Sequence, residues 1–203
     1  MQDAGYKIEV GERPSVECII LFMFPAIFLD RDGVIIENRS NYVRRWEDVA
    51  IFGQALTALA GMNSSAYKII MVTNQSAVGR GIITLETVRE INNRLLRIIE
   101  LTGGRIDGVY VCPHAPGDHC ECRKPKPGLL LQAAEAHKLD FSHSILIGDT
   151  LSDLMAGQAA GLRQTVLVRT GLGAQQEFST KAGDLKPFII YDTLEEALSD
   201  LVE

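Results

Sequence analysis

Four short stretches of the chain carry residues that could act together on an anion. The first is Asp30-Arg31-Asp32-Gly33, at the end of an apolar run. Carboxylates two residues apart point to opposite sides of a strand. At a strand-to-loop turn helped by Gly33 both can converge, and they repel unless a cation or proton lies between them. The second is Thr73-Asn74-Gln75-Ser76. A hydroxyl with several main-chain N–H groups in a tight turn makes a concave donor set for phosphate oxygens. The third is Arg123-Lys124-Pro125-Lys126-Pro127-Gly128, three cations on a loop stiffened by two prolines, just before a helix start. The fourth is Gly148-Asp149-Thr150, with Asp153 four residues beyond Asp149. Converging carboxylates from Asp30, Asp32 and Asp149 suit a hard cation such as Mg²⁺. Taken singly, each stretch has a plainer reading as a solvated acidic loop, a turn or a charged surface.

A separate cluster reads Cys112-x-His114, then Cys120-x-Cys122. Three thiolates and an imidazole form a tetrahedral zinc set, with His119 as a substitute ligand and inert thiols as the plain alternative. Four protein ligands would leave no open position, so the expected Zn²⁺ is structural. Three of the four cysteines fall in this cluster, too tightly for a disulfide framework, which points to a reduced, cytoplasmic setting.

These groups need a scaffold that brings them together. Short β-rich runs alternate with helical patterns. Strands are expected at Ala26–Asp30, Lys68–Thr73, Gly108–Cys112, Ser144–Gly148, Thr165–Arg169 and Phe188–Tyr191. Helices are expected at Gln54–Ser64, from a Thr84 cap to Leu101, at Gly128–Leu139, at Leu151–Ala160 and at Leu194–Val202. Such alternation implies right-handed crossovers and a mostly parallel sheet covered on both faces, an α/β Rossmann-like three-layer sandwich. In these sheets a ligand sits beyond the carboxyl ends of the strands, where Asp30, Thr73, Cys112 and Asp149 fall. Gly33 to Lys68 holds one loop and one helix, and the stretch after the third strand holds the small zinc loop, so no large cap domain is expected. Residues 23–203 form a single domain. Residues 1–22 read as an N-terminal extension, disordered or forming an extra strand. Gly171–Pro187 is the loosest segment.

The order of these motifs, over roughly Ile27 to Gly171, resembles the haloacid dehalogenase-like hydrolases. The resemblance implies Asp30 as the nucleophile that becomes phosphorylated and Asp32 as the acid and base on the leaving oxygen and water. It implies Thr73 and Lys124 as the phosphoryl holders. It also implies Mg²⁺ held by Asp30, Asp149 and the main-chain carbonyl of Asp32. An acid at position 32 accompanies phosphate chemistry in that family. The zinc set followed by Arg123-Lys124-Pro125, with Thr73–Ser76 and Gly79-Arg80-Gly81, further resembles the D-glycero-D-manno-heptose 1,7-bisphosphate 7-phosphatases and the related histidinol-phosphatases. That likeness implies Asn74, Gln75, Arg80 and Arg123 in or near a substrate pocket, open to a small phosphorylated metabolite. Gly-Asp-Thr at 148–150 departs from the more frequent Gly-Asp-Lys or Gly-Asp-Arg.

The chain's 203 residues, 46% of them hydrophobic, suffice for one buried core. A net charge of −6 offers no basic excess for nucleic acid. The apolar run Val16–Leu29 is broken by Glu17 and Pro25 and is short for a membrane span. The expected partner is therefore a small phosphorylated metabolite, with no nucleic acid and no membrane, and the chain a monomer or weak homo-oligomer. A signalling receiver domain also gathers acids, a threonine and a lysine around Mg²⁺. It places its phosphorylated aspartate after a later strand and has no place for the cysteines.

Overall fold

A computed structural model describes residues 23–202, so the extension read over 1–22 lies outside the described residues. Six strands form one sheet: β1 (Ala26–Leu29), β2 (Lys68–Asn74), β3 (Gly108–Cys112), β4 (Ile145–Gly148), β5 (Gln164–Val168) and β6 (Ile189–Tyr191). Their order is β3-β2-β1-β4-β5-β6. Every pairing is parallel, with Leu29 opposite Met71 on one side and Ile147 on the other. The chain reverses its direction of travel across the sheet between β1 and β4. That junction leaves a crevice beyond the carboxyl ends of the two strands.

The short central strands β1 and β4 are wholly apolar because both faces of the sheet are buried there. Ile27, Leu29, Ile69, Met71, Ile145 and Ile147 point to one face. There they meet residues of α1 (Gly53–Gly61), α3 (Leu85–Leu101) and α7 (Leu194–Leu201). Phe28, Ile70, Val72 and Leu146 point to the other, against α4 (Gly128–His137) and α5 (Leu151–Ala160). The alternation follows directly from the two-residue period of a strand.

The helix ends follow local chemistry. Thr84 caps α3, its hydroxyl accepting from Thr87 N at 3.0 Å. The buried stripe of α3 is Val88, Ile91, Leu95 and Ile99, at helical spacing, with one polar intruder, Asn92. Two four-residue helices escaped the sequence reading: α2 (Ser76–Gly79), within the expected donor turn, and α6 (Gly173–Gln176). The segment read as loose thus carries α6 and a 3₁₀ turn at Thr180–Asp184. Both helices are too short to show a period. Between β1 and α1 only a 3₁₀ turn at Trp46–Asp48 intervenes, so there is no cap domain there. Among the described residues no helix is long and apolar enough to cross a membrane.

Leu95 is fully buried between α3 and the sheet. Leu95→Ala should lower the unfolding free energy by roughly 2–5 kcal/mol. Urea unfolding checks this, and a loss well below that range would mean that α3 is not part of the cooperative core.

Candidate active site

Asp30 directly follows β1 and Asp149 directly follows β4, so neighbouring strands place the two acids side by side at the crevice. Asp153 lies within the first turn of α5, facing back to the strand end. One carboxylate oxygen from each of Asp30, Asp149 and Asp153 falls within 4.8 Å of the others. All three residues are almost wholly buried. Lys124 is buried with them, its Nζ 2.9 Å from Asp30 Oδ1, 2.6 Å from Asp153 Oδ1 and 2.9 Å from Val72 O.

Three acids around one ammonium leave an excess of negative charge in a place with little water. Burial pushes the Asp30 carboxyl well above its ordinary range, against the pull of Lys124. Burial, reinforced by Asp153, pushes Asp149 up to about 7. Burial alone would lower Lys124, but Asp153 and Asp30 outweigh it and hold the ammonium above its usual value. A divalent cation fits this donor set: hard oxygen ligands, converging, with surplus charge to neutralise. Asp153 Oδ1 has no hydrogen-bond partner beyond its ion pair with Lys124.

The fate of each oxygen is well defined. Asp30 Oδ1 accepts from Arg31 N at 2.8 Å, and Oδ2 accepts no hydrogen bond among the described residues. Asp153 Oδ2 accepts from Thr150 N at 3.1 Å and Thr150 Oγ1 at 2.6 Å, a capping box for α5. Thr150 is thus occupied in fixing Asp153.

Asp32 departs from the expected acid cluster. Its carboxylate turns away from Asp30 and is gripped by the guanidinium of Arg31, with contacts of 3.1, 3.1 and 2.9 Å. Arg31 is only 1% exposed and is anchored from behind by Asn92 Oδ1 of α3, 2.9 Å from its Nη1. Gln75 Nε2 donates to Asp32 Oδ2 at 2.9 Å and to Thr73 Oγ1 at 2.8 Å. Thr73 Oγ1 itself lies 3.5 Å from Asp32 Oδ2. Asp153, left without a role by the sequence, stands in the cluster where the Asp32 side chain was expected.

Asn74 forms a reciprocal pair with the main chain of Lys124, donating to its carbonyl at 3.1 Å and accepting from its N–H at 3.2 Å. The pair ties the lysine loop to the end of β2. Arg80 is exposed at the end of α2, and Arg123 reaches the His114 carbonyl at 3.4 Å. Neither makes a polar contact with the acids, Thr73 or Lys124 among the described residues. A cavity of about 170 Å³ opens beside Asp32, lined by Arg31, Asn38, Arg39, Tyr42, Asn74 and Gln75 among others. A larger hollow of about 590 Å³ between α1 and α7 holds no cluster of buried charge, so the smaller cavity is the better candidate. Asn38, Tyr42 and Asn92 were missed because nothing in local spacing marks them.

Cys112, His114, Cys120 and Cys122 converge as a fourfold set. Their Sγ and Nδ1 atoms stand 3.2–3.6 Å apart in five of the pairs. That is close to the edge of about 3.8 Å expected for a tetrahedron of thiolates around zinc. His119, in a left-handed conformation with φ of 49°, stays exposed outside the set. Burial, reinforced by the neighbouring Cys112 and Cys120, pushes the Cys122 thiol up to about 12.

The raised Asp149 carboxyl has a consequence for stability. The unfolded chain releases this proton near pH 4, whereas the folded magnesium-free protein holds it up to about pH 7. Between these values the folded state binds more protons, so stability falls as pH rises. Magnesium-free protein should melt higher at about pH 5 than at about pH 7.5, and Asp149→Asn should reduce that slope. Melting curves that rise with pH over this interval would contradict the burial of the acid.

Residues 121–197 match the family model described as HAD-hydrolase-like. A D-glycero-beta-D-manno-heptose-1,7-bisphosphate 7-phosphatase of Helicobacter pylori (strain J99) is 39% identical over 144 residues, spanning 70% of this chain and 82% of that protein. The protein of that name in Pseudomonas putida is 33% identical over 176 residues, spanning 87% and 98%. The crystal structure of the D,D-heptose 1,7-bisphosphate phosphatase from B. bronchiseptica, complexed with magnesium and phosphate, superposes with a TM-score of 0.81. It is 30% identical in sequence, and the match covers 87% of this chain and 97% of that one. With its acids and lysine gathered at the β1–β4 crevice, the chain belongs to the haloacid dehalogenase-like hydrolases and is a phosphatase of that family.

Proposed function

We propose that the chain is a Mg²⁺-dependent phosphomonoesterase that works through an aspartyl phosphate on Asp30. Its substrate in this reading is D-glycero-D-manno-heptose 1,7-bisphosphate, from which it removes the 7-phosphate. The observation that carries the chemistry is the burial of Asp30 against Lys124, beside Asp149 and Asp153, at the junction of β1 and β4. The substrate rests on relatives bearing that name at 33–39% identity over most of their length.

The residues divide the work. Asp30, Asp149 and the main-chain carbonyl of Asp32 would hold the Mg²⁺, which would supply charge to offset the repulsion between a carboxylate and a phosphate dianion. Asp30 attacks phosphorus through its carboxylate, and the bond from phosphorus to the sugar oxygen breaks. Lys124 and Thr73 hold the phosphoryl oxygens. Asp32, protonated and turned from its Arg31 contact toward Asp30, gives its proton to the departing sugar oxygen. The resulting carboxylate then takes a proton from water as that water hydrolyses the acyl phosphate, which frees phosphate and restores Asp30. Two displacements replace one difficult step. Arg31 and Gln75 hold Asp32 between turnovers, and Asn74 serves Lys124 as well as the pocket. Arg80 and Arg123 reach the far end of the substrate. Cys112, His114, Cys120 and Cys122 would hold a structural Zn²⁺ and so pin the start of the loop that carries Lys124.

Asp30→Asn should reduce phosphate release by at least about a thousandfold while leaving folding and zinc content unchanged. Substantial residual turnover would count against the covalent route. In a panel with Mg²⁺, the heptose bisphosphate should be turned over well ahead of histidinol phosphate; the reverse order would move the assignment to the related phosphatases. Elemental analysis should find one zinc per chain, and none in freshly purified protein would remove the structural ion.

A further inference from the structure

Asp149 sits in an unusually confined setting. Its Oδ2 accepts two hydrogen bonds, from Asn38 Nδ2 at 2.6 Å and from Leu172 N at 2.9 Å. The two donors arrive from different loops, one after β1 and one after β5. Gly33 and Gly171 wall the same oxygen, with φ of +86° and +60°. A Cβ on Gly33 would stand 2.0 Å from Oδ2, and one on Gly171 would stand 2.3 Å from it. Either would also lie 2.8 Å from Asn38 Nδ2. Only glycine fits here, for space and for backbone conformation. Thr170 Oγ1 donates to the Gly33 carbonyl at 2.6 Å and fastens the two loops together. The carboxylate therefore has one oxygen locked in a slot and one oxygen left over.

The other acids of the cluster are restricted in the same way. Asp30 Oδ1 is held by Arg31 N and Lys124 Nζ. Asp153 Oδ2 is held by Thr150, and its Oδ1 faces Lys124. No acid of the cluster keeps both oxygens free. This matters because the two common hard cations differ in what they accept. Ca²⁺ takes six to eight oxygens at about 2.3–2.6 Å and readily accepts both oxygens of one carboxylate, whereas Mg²⁺ requires near-octahedral ligands at about 2.0–2.1 Å. A site whose carboxylates can each lend one oxygen at most favours the smaller ion.

We propose that Asn38 is a positioning residue which, together with the Leu172 N–H, restricts Asp149 to one-oxygen ligation and thereby sets a preference for Mg²⁺ over Ca²⁺. The inference rests on reading the acid cluster as a divalent-ion site. Asn38 is the side-chain donor of the clamp that lies outside the acids and the lysine, so it can be changed without deleting a ligand. Removing it frees Oδ2 on one side and lets the carboxylate turn. Affinity for Mg²⁺ then falls, as for partners that orient metal ligands, while a bidentate mode opens for Ca²⁺.

The test is equilibrium binding without substrate. Full-length, zinc-loaded protein and the Asn38→Leu variant are titrated by calorimetry with MgCl₂ and, separately, with CaCl₂. The variant should bind Mg²⁺ about tenfold more weakly and Ca²⁺ as tightly as before or more so, which lowers the Mg²⁺/Ca²⁺ affinity ratio about tenfold. If Asn38→Leu does not fold, judged by zinc content and melting, Asn38→Ser supplies the same comparison. An unchanged ratio in a folded variant, or equal weakening of both ions, overturns the proposal. Native protein that binds neither ion overturns it together with the divalent-ion reading. A shifted ratio in a protein that releases phosphate from no ester would uphold the clamp and refute the phosphatase reading alone, so the two failures are distinguishable.

Discussion

The structure is organised around a concentration of like charge in a buried place. Asp30, Asp149 and Asp153 crowd one corner of the sheet edge, with the buried Lys124 ammonium paired to Asp30 and Asp153. Isolated carboxylates in such surroundings would neutralise themselves by taking up protons. The fold sustains the cluster by surrounding it with fixed donors: Arg31 N, Thr150 N and Oγ1, Leu172 N and the Asn38 amide. Such donors are already oriented and need no rearrangement when charge moves during reaction.

That requirement explains the apparatus around the lysine. Lys124 belongs to a loop, and loops are poor at holding a charge to within a fraction of an ångström. Its main chain is paired with Asn74 at the end of β2, and its ammonium also donates to Val72 O. Immediately upstream the cysteine and histidine set gathers the chain, with Arg123 reaching back to the His114 carbonyl. On the opposite side of Asp30, Arg31 is locked by Asn92 and in turn locks Asp32. The one polar residue in the buried stripe of α3 thus has its reason in the site rather than in the helix.

Much of this was legible in the residues. The strands show as apolar runs because both faces of a parallel sheet are covered, and α3 shows through its period and its Thr84 cap. Asp30, Thr73, Lys124 and Asp149 stand out because each lies at a strand end or before a helix, where side chains leave the core. The direction of Asp32 was not legible. Spacing permits two acids to converge, and only the position of Arg31 and Gln75 shows that its side chain turns elsewhere. Asp153 looked like a residue one turn too far, yet the first turn of α5 brings it back over the strand end. Asn74 was read for the pocket, and its pairing with the Lys124 main chain depends on how two remote loops meet. The short α2 and α6 carry too few residues for a pattern.

The strand order also governs when the site can exist. Asp30 and Asp149 are roughly 120 residues apart in the chain, yet they sit on adjacent strands. As synthesis proceeds from the N-terminus, β1, β2, β3 and the thiol loop emerge well before β4 and α5. Until β4 pairs with it, one edge of β1, the strand destined for the middle of the sheet, lacks its native neighbour, and uncovered edges invite pairing with other chains. Chemistry and protection from aggregation therefore arrive in one event, the insertion of β4.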